Sequence, residues 1–141
     1  MNRNATAVWH GDLRTGKGMI STQSGVLEST QYSFSTRFEE GKGTNPEELI
    51  AAAHAGCFAM ALSNALGEGG MTAESIEAKA TVTLQKEEGG FSITASHLDV
   101  KVRIPGADHA KFEQAAQAAK TGCPVSKLLK AEITMKAELE S

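Results

Sequence analysis

Hydrophobic and polar residues alternate along some stretches of this chain and recur at helical spacing along others. Ser75 to Gln85 places Ile76, Ala78, Ala80, Val82 and Leu84 on every second position, the mark of a strand with one buried face. Lys86-Glu87-Glu88-Gly89-Gly90 reads as a hairpin turn. Beyond it Phe91, Ile93 and Ala95 alternate, and so do Leu98, Val100, Val102 and Ile104, but with the opposite parity. That slip predicts a bulge near Ser96 and His97. Asp108 to Thr121 follows the helical period, with Phe112, Ala115, Ala116 and Ala119 inward. Gly122-Cys123-Pro124 breaks this helix, Val125 to Leu129 adds one more turn, and Ala131 to Leu139 alternates as a closing strand. Near the start, Ala5 to Trp9 and Gly16 to Thr22 have strand character, with turns at His10-Gly11-Asp12 and at Gly25. Gln31 to Phe38 alternates aromatic and polar residues and predicts a third, half-buried strand with Arg37 near its end.

The stretch from Gly43 to Leu66 is different. Asn45 suits a helix cap, Pro46 the first helical position, and Glu48 the third position of a capping box. Glu47 and Glu48 sit where the helix dipole favours negative charge. Leu49, Ile50, Ala53, Cys57, Met60 and Ala61 then recur at helical spacing, and the intervening alanines leave little polar surface. A helix that is apolar nearly all round belongs inside a protein. Gly67-Glu68-Gly69-Gly70 stops it. The order is three short strands, a buried helix, a long hairpin, an amphipathic helix and a final strand, which is an α+β plan. One chain has too little sheet to cover both sides of such a helix, so the pattern predicts an intertwined homodimer.

Composition narrows the function classes. The chain has 141 residues, 40% of them hydrophobic and 22% charged, which predicts one globular domain over residues 1–141. A formal net charge of -3 and the lack of a basic stripe exclude a nucleic-acid footprint. The longest apolar run reads as too short and too alanine-rich to span a bilayer, so no membrane partner is expected. The polar N-terminus sets a cytoplasmic location as the expectation. Two cysteines in that compartment point to reduced or redox-active thiols rather than a structural staple.

Four residues could carry thiol chemistry: Cys57, Cys123, Arg37 and Glu47. Cys123 precedes Pro124, so its sulfur lies near a helix N-terminus, which lowers a thiol pKa. Local sequence therefore ranks Cys123 as the more acidic thiol. Cys57 lies about three turns inside its helix and gains little from the dipole. It is a small core hydrophobe unless another segment brings it a cation. Arg37 and Glu47 are the candidate partners. Glu47 and Cys57 are ten residues apart, about 15 Å along one helix. A site holding both must take Glu47 from a second subunit. His54, three residues before Cys57, leaves open a Cys/His nucleophile pair and a metal site with Cys57 and Cys123. His10, His97 and His109 read as turn or surface positions, and neither a phosphate-binding glycine loop nor a GxSxG elbow is found.

Three segments together resemble the OsmC (osmotically inducible protein C) family, sister to the organic hydroperoxide resistance proteins. They are Arg37-Phe38-Glu39, Gly43-Thr44-Asn45-Pro46-Glu47-Glu48-Leu49-Ile50-Ala51-Ala52-Ala53-His54-Ala55-Gly56-Cys57-Phe58, and Gly122-Cys123-Pro124-Val125-Ser126. The short loop between Arg37 and the helix resembles the OsmC branch more than its sister. The resemblance implies an intertwined homodimer with antiparallel sheets wrapped around central helices and active sites at the subunit interface. It implies a cofactor-free peroxidase for organic hydroperoxides, re-reduced by dithiols that include lipoyl groups. By position it makes Cys57 the peroxidatic thiol, Cys123 the resolving thiol that closes a Cys57–Cys123 disulfide, and Arg37 and Glu47 the activating pair. A non-catalytic redox sensor or apolar-ligand-binding dimer is the alternative.

Overall fold

The alternating stretches become strands. A computed structural model describes residues 1–141 as two compact units, Met1–Leu49 and Ile50–Ser141. In the first, β1 (Ala5–His10), β2 (Lys17–Thr22) and β3 (Thr30–Tyr32) form an antiparallel sheet in the order β1-β2-β3. Gly18 sits between Trp9 and Tyr32 on the neighbouring strands, and their rings meet with centroids 5.5 Å apart. A Cβ at Gly18 would stand 2.4 Å from the Tyr32 ring and 2.7 Å from the Trp9 ring, so only glycine fits there.

The third strand is shorter than predicted. It stops at Tyr32, and Phe34–Phe38 forms a helical turn, α1. Ser33 is the cause. Its hydroxyl accepts from the Thr36 N–H, and the Thr36 hydroxyl accepts from the Ser33 N–H at 2.7 Å, a capping box that starts a helix. Phe34 and Phe38 stand four residues apart on one face of that turn, with ring centroids 4.9 Å apart. Their spacing suits a strand and a helix equally, and the cap decides between the two.

The small-residue stretch forms α2 (Pro46–Glu68), capped by Asn45, whose Oδ1 accepts from the Glu48 N–H at 2.7 Å. Its C-terminus closes through Met71 N–H to Leu66 O at 2.9 Å and Gly70 N–H to Gly67 O at 3.0 Å, with Gly70 at φ +78. This is the Schellman arrangement, which needs a left-handed residue at Gly70. The helix has 23 residues and holds an 18-residue stretch with a mean hydropathy of 1.5, enough by length and composition to cross a membrane, against the expectation of too short a run. Only one stripe of it is buried in this chain: His54, Phe58, Leu62 and Leu66, each four residues from the last, are completely buried, while most of the apolar stretch is not, which falls short of the expected buried helix. Of the residues that recur at helical spacing, Cys57 and Ala61 pack against the core at its edge, and Ala53 and Met60 are exposed. Larger side chains one position away fill the core, while Met60 remains 77% exposed.

In the second unit, β4 (Ser75–Glu87) and β5 (Gly90–Arg103) form the long hairpin. Thr83 pairs with Ala95 and Leu84 with Ile93, so Thr94 is the extra residue. The bulge lies earlier than predicted and turns Ser96 inward beside Leu98 and Val100. α3 (His109–Gly122) is capped by Asp108 and buries Phe112, Ala115, Ala116 and Ala119 as its period predicts. α4 (Pro124–Leu128) follows, then β6 (Glu132–Glu140). β6 runs parallel to β5, which corrects the expectation of antiparallel sheets throughout. The connection from β5 through two helices is a crossover, and crossovers return a strand in the same direction. Phe58, Leu62, Leu66, Leu98, Val100, Val102, Ile104, Phe112 and the α3 alanines make one core, with Ile76, Ile133 and Met135 packed at its margin.

Truncation of the central stripe tests this packing. Leu62→Ala removes a fully buried side chain, and urea unfolding is expected to show a loss of about 2–5 kcal/mol.

Candidate active site

Cys123 closes α3 and opens α4. It lies four residues after Ala119, so it extends the buried face of α3, and its N–H bonds to Ala119 O at 3.0 Å. Cys57 stands on α2 beside buried Phe58. The two sulfurs are 2.9 Å apart and share a hydrogen bond, with both thiols free. The separation exceeds the roughly 2.05 Å of a disulfide, so a covalent bond needs only a small approach.

The two thiols are not equivalent. Cys123 is completely buried, whereas Cys57 is partly exposed. Burial pushes the Cys57 thiol up, as does its hydrogen bond with Cys123, and the Val125 N–H offsets only part of this. Burial raises Cys123 too. Hydrogen bonds from Cys57, from the N–H and hydroxyl of Ser126 and from the Val125 N–H outweigh that penalty and hold Cys123 below its ordinary value. Acidity and access thus fall on different sulfurs: the more acidic thiol is sealed, and the reachable one is the weaker acid. The local ranking from sequence, with Cys123 the more acidic, matches the hydrogen bonding around it.

His54 is completely buried. Its Nδ1 lies 2.6 Å from Ser96 Oγ and its Nε2 lies 2.8 Å from Ser126 Oγ. Both ring nitrogens are taken, so His54 does not pair directly with Cys57. No group of three or more His, Cys, Asp or Glu side chains is placed to hold a metal, and the His54–Cys57–Cys123 metal set is not assembled. Burial holds the His54 pKa below 6.5. Sequence reasoning missed Ser96, because the bulge was placed at Ser96 itself. With Thr94 as the extra residue, Ser96 shares the inward parity of Leu98. Ser126 carried no signal beyond the motif around Cys123.

Arg37 and Glu47, both in the first unit, pair with each other. Arg37 Nε and Nη2 donate to the same oxygen, Glu47 Oε1, at 3.1 and 2.9 Å. The other oxygen, Oε2, is buried with no hydrogen-bond partner. The guanidinium also stacks on Phe38, 5.3 Å from the ring centroid. Beside it opens a cavity of about 270 Å³ lined by Trp9, Leu13, Tyr32, Phe34, Arg37 and Phe38. The carboxylate holds the guanidinium by one edge, and its remaining N–H groups stay free to bind an anion. The structure therefore brings together two pairs, Cys57 with Cys123 and Arg37 with Glu47.

Two outcomes follow from these surroundings. Under limiting iodoacetamide, peptide mapping is expected to find Cys57 carboxamidomethylated well before Cys123. A histidine that folding holds neutral costs stability where the unfolded chain would protonate it. Unfolding free energy is therefore expected to fall as pH drops below 6.5 toward the depressed folded value. Urea titrations across that window are expected to lose this slope in His54→Asn.

Comparison with known proteins identifies the family. The family described as OsmC-like protein matches residues 39–138. The chain is 53% identical to "Peroxiredoxin OsmC" of Escherichia coli (strain K12) over 141 residues, covering 100% of this chain and 99% of that protein. It is 34% identical to "Organic hydroperoxide resistance protein OhrB" of Bacillus subtilis (strain 168) over 125 residues, covering 87% and 89% of the two chains. The crystal structure of the Bacillus subtilis OhrB superposes with a TM-score of 0.68 at 29% identity, over 97% of this chain and 98% of that one. The match spans both cysteines, Glu47 and the helix that carries Cys57, and the chain belongs to the OsmC-like protein family.

Proposed function

We propose that this protein is a thiol-dependent peroxidase that reduces organic hydroperoxides to alcohols. The observation that carries the reading is the thiol pair: one accessible sulfur and one sealed sulfur, 2.9 Å apart on different elements. The names of the two relatives, a peroxiredoxin and an organic hydroperoxide resistance protein, support it.

The Cys57 thiolate attacks the terminal oxygen of ROOH; an S–O bond forms, the O–O bond breaks, and the alkoxide leaves as ROH after taking a proton. Cys57 is then a sulfenic acid. Cys123 attacks its sulfur, closing a Cys57–Cys123 disulfide and expelling water. A dithiol, with a lipoyl group among the candidates, reopens the disulfide by exchange and is itself oxidised. Cys57 is the peroxidatic thiol because peroxide can reach it, and Cys123 resolves because it is sealed and acidic. The reaction needs no cofactor.

Cys57 lacks a cation in its own surroundings, and its pKa is raised. Arg37, held by Glu47, supplies the positive charge that favours the thiolate and the departing alkoxide. It comes from a second copy, since ten residues of helix separate Glu47 from Cys57 of the same chain. Two further observations support a homodimer that works as one domain over residues 1–141. The face of α2 with Ala52, Ala53, Gly56 and Met60 is apolar and exposed, and Glu47 Oε2 is buried without a partner. Small side chains on that face allow a second helix to approach closely. The aromatic cavity beside Arg37 suits an alkyl or aryl group better than hydrogen peroxide. Repeated reduction of the thiols fits a cytoplasmic location.

Steady-state consumption of cumene hydroperoxide with a dithiol tests the reading. The protein is expected to turn over many equivalents and Cys57→Ser none. Arg37→Met is expected to lower kcat/KM by about 100-fold or more, and sedimentation velocity to report a dimer. Full activity in Cys57→Ser would refute the proposal, and a single stoichiometric oxidation without turnover would favour a redox sensor.

A further inference from the structure

We propose that His54 is a positioning residue for the resolving thiol: bonded to Ser96 on one side and to Ser126 on the other, it clamps α4 to α2 and so fixes the reach between Cys123 and Cys57. The proposal rests on the peroxidase function above and assigns work to a buried side chain that the cycle does not otherwise use.

Two side-chain contacts join α2 to the chain around α4. One is the sulfur contact, in which the Cys123 S–H donates to Cys57 Sγ at 2.9 Å. The other runs between His54 Nε2 and Ser126 Oγ at 2.8 Å. The two are in step. His54 lies three residues before Cys57 on α2, and Ser126 lies three residues after Cys123, which caps α4. Residues three apart share one face of a helix, so the contacts form two rungs between the same pair of faces. One rung alone would leave α4 free to pivot about the sulfurs, and the second removes that freedom. Ser96 on β5 completes the clamp, with its Oγ 2.6 Å from His54 Nδ1. Both ring nitrogens are thereby pinned, and the neutral ring donates to one serine and accepts from the other.

α4 needs such a hold. It has five residues and buries none of them, and its Leu128 is 78% exposed. A helix that short does not stand by itself. Val125 packs only at the margin of the core, and Cys123 makes no side-chain cap bond to the helix it opens. On its other side Cys123 is already fixed, because it is buried and its N–H bonds to Ala119 O. His54 thus holds the exit of Cys123 into α4, the side that α3 does not reach. Closure joins the two sulfurs, breaks the S–O bond of the sulfenic acid, and releases that oxygen as water with the Cys123 proton. Cys123 is oxidised and the sulfenic sulfur of Cys57 is reduced. Sulfurs held in contact have a high effective concentration toward each other. That speeds closure, and it also stabilises the closed disulfide against an external dithiol.

Two measurements on wild type, Ser126→Ala and Ser126→Thr test the clamp. Ser126 is partly exposed, so its substitution spares the core, and Ser126→Thr keeps the hydroxyl. In the first, reduced protein is mixed with one equivalent of cumene hydroperoxide, and rapid-quench mass spectrometry with dimedone trapping follows sulfenic acid and disulfide separately. Ser126→Ala is expected to form sulfenic acid at the wild-type rate and to close the disulfide roughly tenfold more slowly or worse. In the second, the thiol pair is equilibrated with reduced and oxidised dithiothreitol. A tenfold loss of effective concentration is expected to make the reduction potential about 30 mV less negative. Ser126→Thr is expected to restore both values. A role in stability alone would lower the unfolding midpoint and leave the closure rate and the potential where they are. Wild-type closure and a wild-type potential in Ser126→Ala would therefore overturn the clamp and leave the peroxidase reading standing. A shifted potential in Ser126→Ala, with a wild type that forms a disulfide in dithiothreitol buffer but consumes no peroxide, would support the clamp and overturn the peroxidase reading.

Discussion

The structure of the second unit depends on a single stripe of α2. His54, Phe58, Leu62 and Leu66 recur every fourth residue, are completely buried, and dock on the sheet and α3. Phe58, Leu62 and Leu66 fill the core and set the rotation of the helix about its axis. That rotation puts Cys57, next to Phe58, against the end of α3 where Cys123 lies. It also sends His54, one turn earlier, between Ser96 and Ser126. Apolar packing thus positions polar chemistry: close-packed side chains allow little sliding, so the sulfur contact is held by the core around it.

The same helix sets the limit of what one chain can do. Its opposite face is apolar, made of small side chains, and open. On its own, the chain offers Cys57 burial and the Cys123 hydrogen bond, and together these raise its pKa. Nothing in that thiol environment carries a permanent positive charge. The Arg37–Glu47 pair has the complementary character, a guanidinium gripped on one edge by a carboxylate whose second oxygen is unpaired. A dimer that brings a second copy's pair to each Cys57 would answer both needs.

Much of this was legible in the sequence. The period-two strands β4, β5 and β6 and the inward face of α3 follow directly from spacing, because each has one covered face. The acidity of Cys123 could be read from Pro124 beside it. Four features could not be read. Phe34 and Phe38 fit a strand and a helix equally, and only the Ser33–Thr36 capping box settles the matter. The buried stripe of α2 could not be picked out because alanine on every side flattens the periodic signal. The bulge fell at Thr94 rather than at Ser96, where two overlapping alternations leave its position undetermined; with it went the recognition that Ser96 points inward to His54. The direction of β6 follows from the helical crossover and not from its own residues.

The central claim is that Cys57 and Cys123 are a working redox pair. Intact mass and thiol count after one equivalent of an alkyl hydroperoxide test it most directly. The account predicts a chain lighter by two hydrogen atoms, with no oxygen added and both thiols lost, and a Cys123→Ser chain that instead gains one oxygen. A wild-type chain that keeps both thiols, or that retains an added oxygen on Cys57 with Cys123 still free, would contradict it.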